Sequence, residues 1–160
     1  PATVCGYSKR LRLDLTVNIL TNHAISNGKI NVFGGSQRRP NIHIEDMTDL
    51  YLHTLDLPSK LIDGGIFNAG NENHRVIEIA EMVRSVVGSS VDISVESSDD
   101  LRSYHISSDR IAAALDFRPK KTIPDAVMSL VNAFDNGLVP ESMSADKYYN
   151  IKTMQLVGLK

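Results

Sequence analysis

Residues 1–6 of this chain read Pro1-Ala2-Thr3-Val4-Cys5-Gly6, an apolar and β-branched run that closes on a glycine. Such a run is typical of a buried parallel strand that ends at the carboxyl edge of its sheet, where open α/β sheets bind ligands. The run starts without an initiator Met. We therefore expect the chain to be the C-terminal half of a larger enzyme, with an N-terminal domain absent.

The sequence that follows alternates short apolar runs with amphipathic stretches, which predicts an α/β fold built from βαβ units. Helices are expected at about 11–27, 46–57, 76–87, 107–115 and 122–136. Strands are expected at 30–33, 41–44, 66–69, 91–95 and 104–106. Asp46 is the expected N-cap of the second helix, Ser107 or Ser108 caps the fourth, and Thr122 with Asp125 forms a capping box at the fifth.

The bulk composition limits the classes of function. The chain has 160 residues, 42% of them hydrophobic, and 17 basic against 19 acidic residues give a formal net charge of −2. It has no long Lys/Arg run and no apolar run near ~18 residues, which argues against nucleic-acid and membrane partners. With one cysteine and no signal peptide, we expect a cytoplasmic protein in which Cys5 is a core residue.

Two portions are expected along the chain. Residues 1–140 form the main portion, and residues 141–160 form a C-terminal tail, because the periodicity weakens beyond Pro140. Such a tail docks on, or exchanges with, another surface. An unpaired sheet edge would also favour self-association, so a homodimer is one expectation.

The first candidate site is the Gly-rich turn at residues 34–40, Gly34-Gly35-Ser36-Gln37-Arg38-Arg39-Pro40. A guanidinium presents a planar fork of donors that matches phosphate oxygens in pairs, and glycine lets backbone N–H groups approach the same ligand. The turn therefore favours an anion site. The alternative is a hairpin turn with solvated charges.

A second arginine, Arg102, stands just before the expected strand at 104–106. Two separate arginines would suit the two charges of a diphosphate, since each bidentate contact is charge-assisted. The alternative is a surface ion pair of Arg102 with Asp99 or Asp100, which would contribute only about 0–1 kcal/mol.

Other patterns carry less weight. The five histidines are scattered, and none stands at a spacing that would hold a metal, so no metal site is expected. Tyr148 and Lys152 match a Tyr-x-x-x-Lys proton-transfer pattern, but this short pattern recurs by chance, and no G-x-G-x-x-G loop precedes it. We assign no catalytic residue to this chain.

Several short segments of the sequence resemble the C-terminal half of extended short-chain dehydrogenases/reductases, the NAD-dependent nucleotide-sugar epimerases and dehydratases. Each segment is a weak match by itself, but their joint order along the chain is specific. They are spread over nearly the whole chain and are residues 1–6, the helix leading to Gly28, and residues 30–34, 37–46, 67–70, 78–80, 102–104 and 115–119.

The resemblance implies a Rossmann-type fold, with residues 1–140 as the substrate-binding portion and a nucleoside-diphosphate sugar as substrate. It implies that Arg39 and Arg102 clasp the diphosphate and that Gln37 and Asn18 make further nucleotide contacts. Pro1, Ala2 and Thr3 would lie near the nicotinamide of NAD. The dinucleotide loop and the catalytic Tyr-x-x-x-Lys pair would belong to the missing half.

The chain also departs from the family at three positions. Cys5 stands where the family often has Tyr, Tyr7 where it has Pro, and Pro40 where it has an acidic residue. These departures concern the sugar pocket rather than the two arginines. A stand-alone nucleotide-sugar-binding or oligomerisation module without catalytic activity is the alternative.

Overall fold

The computed structural model describes residues 1–99 and 102–158. Its strands are β1 (Thr3–Cys5), β2 (Lys29–Phe33), β3 (Arg38–His43), β4 (Glu72–Arg75) and β5 (Asp92–Glu96). Its helices are α1 (Thr16–Asn27), α2 (Ile44–Leu55), α3 (Ser59–Ile62), α4 (Val76–Val87), α5 (Asp109–Leu115), α6 (Ile123–Asp135) and α7 (Asn150–Leu156). A 3-10 turn at Asp146–Tyr148 precedes α7.

The strands form two small sheets. In the first, the order is β1-β3-β4; β1 runs parallel to β3, and β4 runs antiparallel to β3. In the second, β2 and β5 pair in parallel, with Ile30 opposite Ile93. The parallel pairs are joined through helices, which is the α/β class that the sequence predicts.

Buried apolar side chains form three clusters. The largest joins α1, α4 and α6 to the second sheet and includes Val17, Ile30, Ile79 and Val127. The second joins α2 and α5 to the first sheet, and Ile42 of β3 is part of it. None of the helices among residues 1–99 and 102–158 is both long and apolar enough to cross a membrane.

The third cluster holds the segment that we predicted as a C-terminal tail. Tyr148 packs there with Leu11, Leu13 and Leu130 and is 5% exposed. The amide of Leu13 donates to the carbonyl of Tyr148 at 2.9 Å. The segment around Tyr148 therefore docks on the body of the chain itself, while residues 159 and 160 lie outside the described part.

Two helices match their sequence signals closely. α4 covers the predicted residues 76–87, and Gly88 follows it. At the start of α6, Thr122 and Asp125 form the expected capping box, in which the Thr122 hydroxyl accepts from the amide of Asp125 and the Asp125 carboxylate accepts from the amide of Thr122. Both signals are local, which is why the sequence reveals them.

The expected N-cap of α2 is wrong. The cap is His43, whose Nδ1 accepts from the amide of Glu45 at 3.0 Å. Asp46 lies in the first turn instead, where its two carboxylate oxygens accept from the amides of Lys120 and Lys121 at 2.9 Å each. The buried Asp46 carboxylate thus holds the segment that leads into α6.

The start of the first helix is also wrong, since α1 begins at Thr16 rather than near residue 11. Leu11 and Leu13 are both buried in the third cluster, two positions apart. Side chains two positions apart share a face in extended backbone but not in a helix, so the burial of both leucines fits extended backbone before α1.

Neither of the strands expected at 66–69 and 104–106 forms, although both lie in described residues. Ala69 accepts one backbone hydrogen bond, from Ala2 at 2.6 Å, and β4 starts further along, in the polar stretch from Glu72. At Ile106 the side-chain amide of Asn73 bonds both the backbone N–H and the C=O, at 2.9 and 3.1 Å, and so takes the place of a neighbouring strand. Ser108 does precede α5, but its hydroxyl bonds Gly70 rather than the helix.

We expect Asp46→Asn to lower the free energy of unfolding by about 2–4 kcal/mol, because a buried, charged acceptor of two backbone amides is replaced by a group that turns an NH₂ towards one of them. Urea unfolding monitored by circular dichroism measures this. Asp49→Asn is the matched control, since Asp49 is exposed on the same helix. Equal stability of the two variants would contradict the anchoring role of Asp46.

The stability of the fold is expected to fall in mild acid. Burial lowers the pKa of His43, although the carboxylates of Glu45 and Asp46 act to raise it, and burial lowers the pKa of His23 as well. Both histidines titrate near pH 6.5 when unfolded, so the unfolded chain takes up protons first as the pH falls. The free energy of unfolding should be greatest above about pH 7 and decrease below about pH 6.5.

Urea unfolding at several values between about pH 8 and pH 5.5 measures this decrease, above the range in which carboxylates titrate. In His43→Asn the cap keeps an acceptor that does not titrate, so part of the decrease should disappear while the His23 part remains. A slope unchanged from the wild-type chain would argue against the buried, neutral state of His43.

Candidate functional site

Two adjoining cavities at the start of α1 form a cleft, and they share Asp14, Thr16 and Arg39 in their walls. The first, of about 160 Å³, we name the arginine cavity. Its walls are Thr3, Asp14, Leu15, Thr16, Arg39, Arg102 and Tyr104. The second, of about 210 Å³, is mainly apolar and is named the apolar cavity. Together they bring both predicted arginines to one surface.

Arg39 is directed into the cleft by the register of β3, in which it lies opposite His74 of β4. Its guanidinium donates from Nη1 to the carbonyls of Arg38 and Arg102. The Cζ atom lies 5.9 Å from the centre of the Tyr104 ring. The group is thus half-buried and held by contacts on both sides.

Arg102 reaches the same cavity because its segment docks along β3. The Ser103 hydroxyl accepts from the amide of Arg38 at 3.0 Å, and the amide of Tyr104 donates to the carbonyl of Arg38 at 3.5 Å. Asp100, one of the alternative partners named above for Arg102, lies outside the described residues, as does Leu101.

Gln37 lines the apolar cavity, but its side chain folds back over the glycine turn. Its Nε2 donates to the carbonyl of Phe33 at 2.6 Å. Both glycines of the turn have positive φ, 79° at Gly34 and 96° at Gly35, a region open to glycine without strain. Their amides donate to the carbonyls of Glu96 and Phe33, so the cleft's capacity for an anion rests on its arginines.

Asn18 does not line the cleft. It is 2% exposed, and both ends of its side-chain amide bond the backbone that leads from β1 to α1. Its Oδ1 accepts from the amide of Gly6 at 3.0 Å, and its Nδ2 donates to the carbonyl of Arg12 at 2.8 Å. Asn18 therefore fixes the loop between β1 and α1.

The three residues predicted to lie near a nicotinamide face different surroundings. Thr3 lines the arginine cavity, Ala2 is buried in the second cluster, and Pro1 is exposed. Of these three residues Thr3 alone stands at the cleft, which is too little to hold a dinucleotide, and the sequence contains no G-x-G-x-x-G loop. The residues present therefore do not by themselves fit NAD, and we derive no step through it.

Sequence reasoning missed Asp14, which stands in the wall common to both cavities. Burial raises the pKa of Asp14, but hydrogen bonds from the Arg12 guanidinium and the Asn150 amide outweigh it and leave the pKa below its ordinary value. The Arg12 bonds measure 2.9 and 3.1 Å. Asp14 is therefore ionised at neutral pH and paired with Arg12. Placing the helix start at residue 11 hid this residue.

The apolar cavity was also missed, because its walls come from three separate elements. Its apolar side chains are Ile19, Leu20, Val32, Phe33 and Val76. Its polar groups include His23, whose pKa burial lowers, and Asn31, whose Oδ1 accepts from the Ser94 hydroxyl at 2.7 Å. Apolar walls with a few oriented polar groups are typical of a site for a flat organic ring.

The remaining candidates for chemistry are engaged elsewhere. Burial raises the pKa of Cys5 to about 12, which leaves the thiol protonated at neutral pH. The Tyr148 hydroxyl donates to the carbonyl of Pro140 at 3.1 Å, while the Lys152 ammonium lies 4.6 Å from the centre of the Tyr149 ring. Among residues 1–99 and 102–158, no group of three or more His, Cys, Asp or Glu side chains is placed to hold a metal ion.

We expect Asn18→Ala to lower the free energy of unfolding by about 2 kcal/mol, because the buried amide of Gly6 and the carbonyl of Arg12 both lose their partner. Chemical unfolding measures this. Asn27→Ala, at the exposed end of the same helix, is the control and should change stability little. If Asn18→Ala unfolds like the control, Asn18 does not fix the loop.

Comparisons with known proteins place this geometry in context. No protein-family model matches the sequence. Solved structures with this fold include NAD-dependent epimerases and dehydratases of the extended short-chain dehydrogenase/reductase type. A UDP-glucuronic acid 4-epimerase from Bacillus cereus, in complex with UDP-4-deoxy-4-fluoro-glucuronic acid and NAD, is 20% identical at a TM-score of 0.72, over 84% of this chain and 43% of that chain.

Two further structures show how far the likeness extends. A UDP-glucose 4-epimerase from Thermotoga maritima, with UDP-glucose, is 19% identical at a TM-score of 0.71, over 86% of this chain and 45% of that one. An L-threonine dehydrogenase from Phytophthora infestans is 12% identical at a TM-score of 0.70, over 86% of this chain and 47% of that one. This chain thus spans less than half the length of each structure, and at such identities what it shares with them is the fold.

Proposed function

We propose that this chain binds the nucleoside-diphosphate part of a nucleotide sugar and is the C-terminal portion of an NAD-dependent epimerase or dehydratase. The observation that carries the proposal is the cleft, in which Arg39 and Arg102 share one cavity and an apolar cavity adjoins it. The fold, found also in nucleotide-sugar epimerases, supports the same function.

The two arginines suit a diphosphate for electrostatic reasons. A guanidinium stays charged at any physiological pH and can donate two parallel hydrogen bonds to phosphate oxygens. Arg39 is already oriented by the carbonyls of Arg38 and Arg102, so little side-chain freedom is lost when it binds an anion. The Asp14 carboxylate in the wall does not oppose this, because the Arg12 guanidinium neutralises it.

The apolar cavity supplies a place for the nucleobase. Its apolar side chains come from α1, β2 and the start of α4, and its volume is about 210 Å³. The Ser94 hydroxyl fixes the side-chain amide of Asn31, which leaves its NH₂ group oriented as a donor. Such an arrangement of apolar walls and few directed polar groups favours a planar heteroaromatic ring.

The sugar would occupy the opposite end of the cleft, towards Thr3. In this proposal most of the NAD contacts belong to residues outside this chain. The diphosphate contacts made here would supply binding energy remote from the reacting carbon, and they would hold that carbon in place.

We expect the chain to bind a nucleoside diphosphate more tightly than the corresponding monophosphate, with Arg39→Ala and Arg102→Ala each weakening diphosphate binding by about tenfold or more. Isothermal titration with UDP, dTDP and ADP, and with their monophosphates, measures this and ranks the bases. Affinity should also fall as salt is raised, since the contact is between charges.

The control for these variants is Arg38→Ala. Arg38 neighbours Arg39 in sequence, but it lies outside the walls of the cleft and its guanidinium donates to the carbonyl of Asn73. Arg38→Ala should bind like the wild-type chain. Equal loss in Arg38→Ala and Arg39→Ala, or equal affinity for monophosphate and diphosphate, would overturn the proposed site.

A further inference from the structure

A third cavity, of about 270 Å³, lies between the loop that follows β1 and the C-terminal segment. We name it the C-terminal cavity. Its walls share no residue with the cleft. The side chains important here are those of Tyr7, Lys9, Arg10, Leu138, Lys147 and Tyr148.

Three cations, Lys9, Arg10 and Lys147, stand around this cavity, and none of the described residues in its walls is acidic. Within the part of the chain that the structure describes, none of the three forms an ion pair with a carboxylate. The nearby carboxylates are engaged, Asp14 by Arg12 and Asp146 by Lys152 at 3.7 Å. In a chain of net charge −2, this cavity is a local concentration of positive charge.

Two of these cations are held in place. The Arg10 guanidinium donates to the carbonyl of Lys147 at 3.3 Å and to Oδ1 of Asn150 at 2.9 Å. The Lys147 ammonium lies 4.9 Å from the centre of the Tyr148 ring. A cation that is fixed before binding loses less freedom when an anion arrives.

The rest of the wall is apolar or aromatic. Tyr148 is almost fully buried, while Leu138 is 53% exposed at the rim of the cavity. Tyr7 adds a second ring to the wall. A ligand with an apolar body would cover the Leu138 side chain and remove that surface from water, which is favourable.

We propose that the C-terminal cavity binds a small organic anion with a flat apolar body, of the class of aromatic carboxylates. Its carboxylate would lie among Lys9, Arg10 and Lys147, and its ring would lie against Tyr7, Leu138 and Tyr148. The volume of about 270 Å³ suits a one-ring ligand, because sites for larger ligands span about 300–1,000 Å³. This site is independent of the proposed nucleotide-sugar function.

The test uses benzoate as the probe, with two partial analogues. Benzamide has the ring without the charge, and acetate has the charge without the ring. Titration of the 160-residue chain, followed by two-dimensional amide NMR, should show saturable binding of benzoate with shifts in residues that line the cavity. Benzamide and acetate should each bind at least about tenfold more weakly, because each lacks one of the two contacts.

Variants locate the site. Lys9→Gln and Lys147→Gln, both at exposed positions, should each weaken benzoate binding several-fold. Lys60→Gln is the matched control, since Lys60 is also an exposed lysine but lies outside the walls of the cavity. Arg39→Ala tests for binding in the cleft instead, and it too should leave benzoate affinity unchanged.

Three outcomes would overturn the proposal. They are an absence of saturable benzoate binding, equal affinity for benzamide and benzoate, and a loss in Lys60→Gln or Arg39→Ala that equals the loss in Lys147→Gln. Arg10→Gln is avoided as the decisive variant, because it would also remove the hydrogen bonds to Lys147 and Asn150 that hold the C-terminal segment.

Discussion

The register of β3 between β1 and β4 is the constraint on which the rest of the structure depends. Thr3 lies opposite Asn41 on one side, and Arg39 lies opposite His74 on the other. Because alternate side chains of a strand face opposite ways, this register directs Arg39 towards the cleft and Ile42 into the second apolar cluster. A slip by one residue would exchange the two faces, so the packing of the core and the position of the guanidinium are fixed together.

A short chain of hydrogen bonds then joins the cleft to the C-terminal segment. Asp14, in the wall of the cleft, accepts from the amide of Asn150 at 3.0 Å, and Oδ1 of Asn150 accepts from Arg10 at 2.9 Å. The docking of the C-terminal segment therefore sets the path of residues 10–14. That path leads into α1, whose first residue, Thr16, also stands in the cleft wall. The segment thus shapes the cleft without lining it.

Whether the sequence could predict an element depends on how far apart along the chain the residues that stabilise it lie. α4 and α6 are predictable because their periodicity and capping signals lie within each helix. β4 is not, because its residues are polar and it forms only through pairing with β3. The expected strand at 104–106 fails for a related reason, since the Asn73 side chain takes the backbone bonds of Ile106.

The candidate site likewise has features that local sequence patterns predict and features that they do not. Arg39 and Arg102 stand in sequence patterns that already favour an anion, but their meeting depends on bonds from Ser103 and Tyr104 to Arg38 that no local pattern reveals. For Asn18 the structure does not support the contact that the sequence suggested. The resemblance implies a nucleotide contact for this residue, yet its side-chain amide bonds the backbone of Gly6 and Arg12.

The fold alone does not decide the ligand, since it occurs in nucleotide-sugar epimerases and in a threonine dehydrogenase alike. The arrangement of charge along the cleft is more informative. Arg39 stands in the wall shared by both cavities, so an anion-binding group lies in the middle of the cleft rather than at one end. On one side of it the walls are mainly apolar, and on the other side Arg102 adds a second positive charge and Thr3 offers a hydroxyl. A ligand that matches this order has a flat ring, then a negative charge, then a polar uncharged group. An α-amino acid carries both of its charged groups on one carbon and does not have this order, whereas a nucleotide sugar has it along its length.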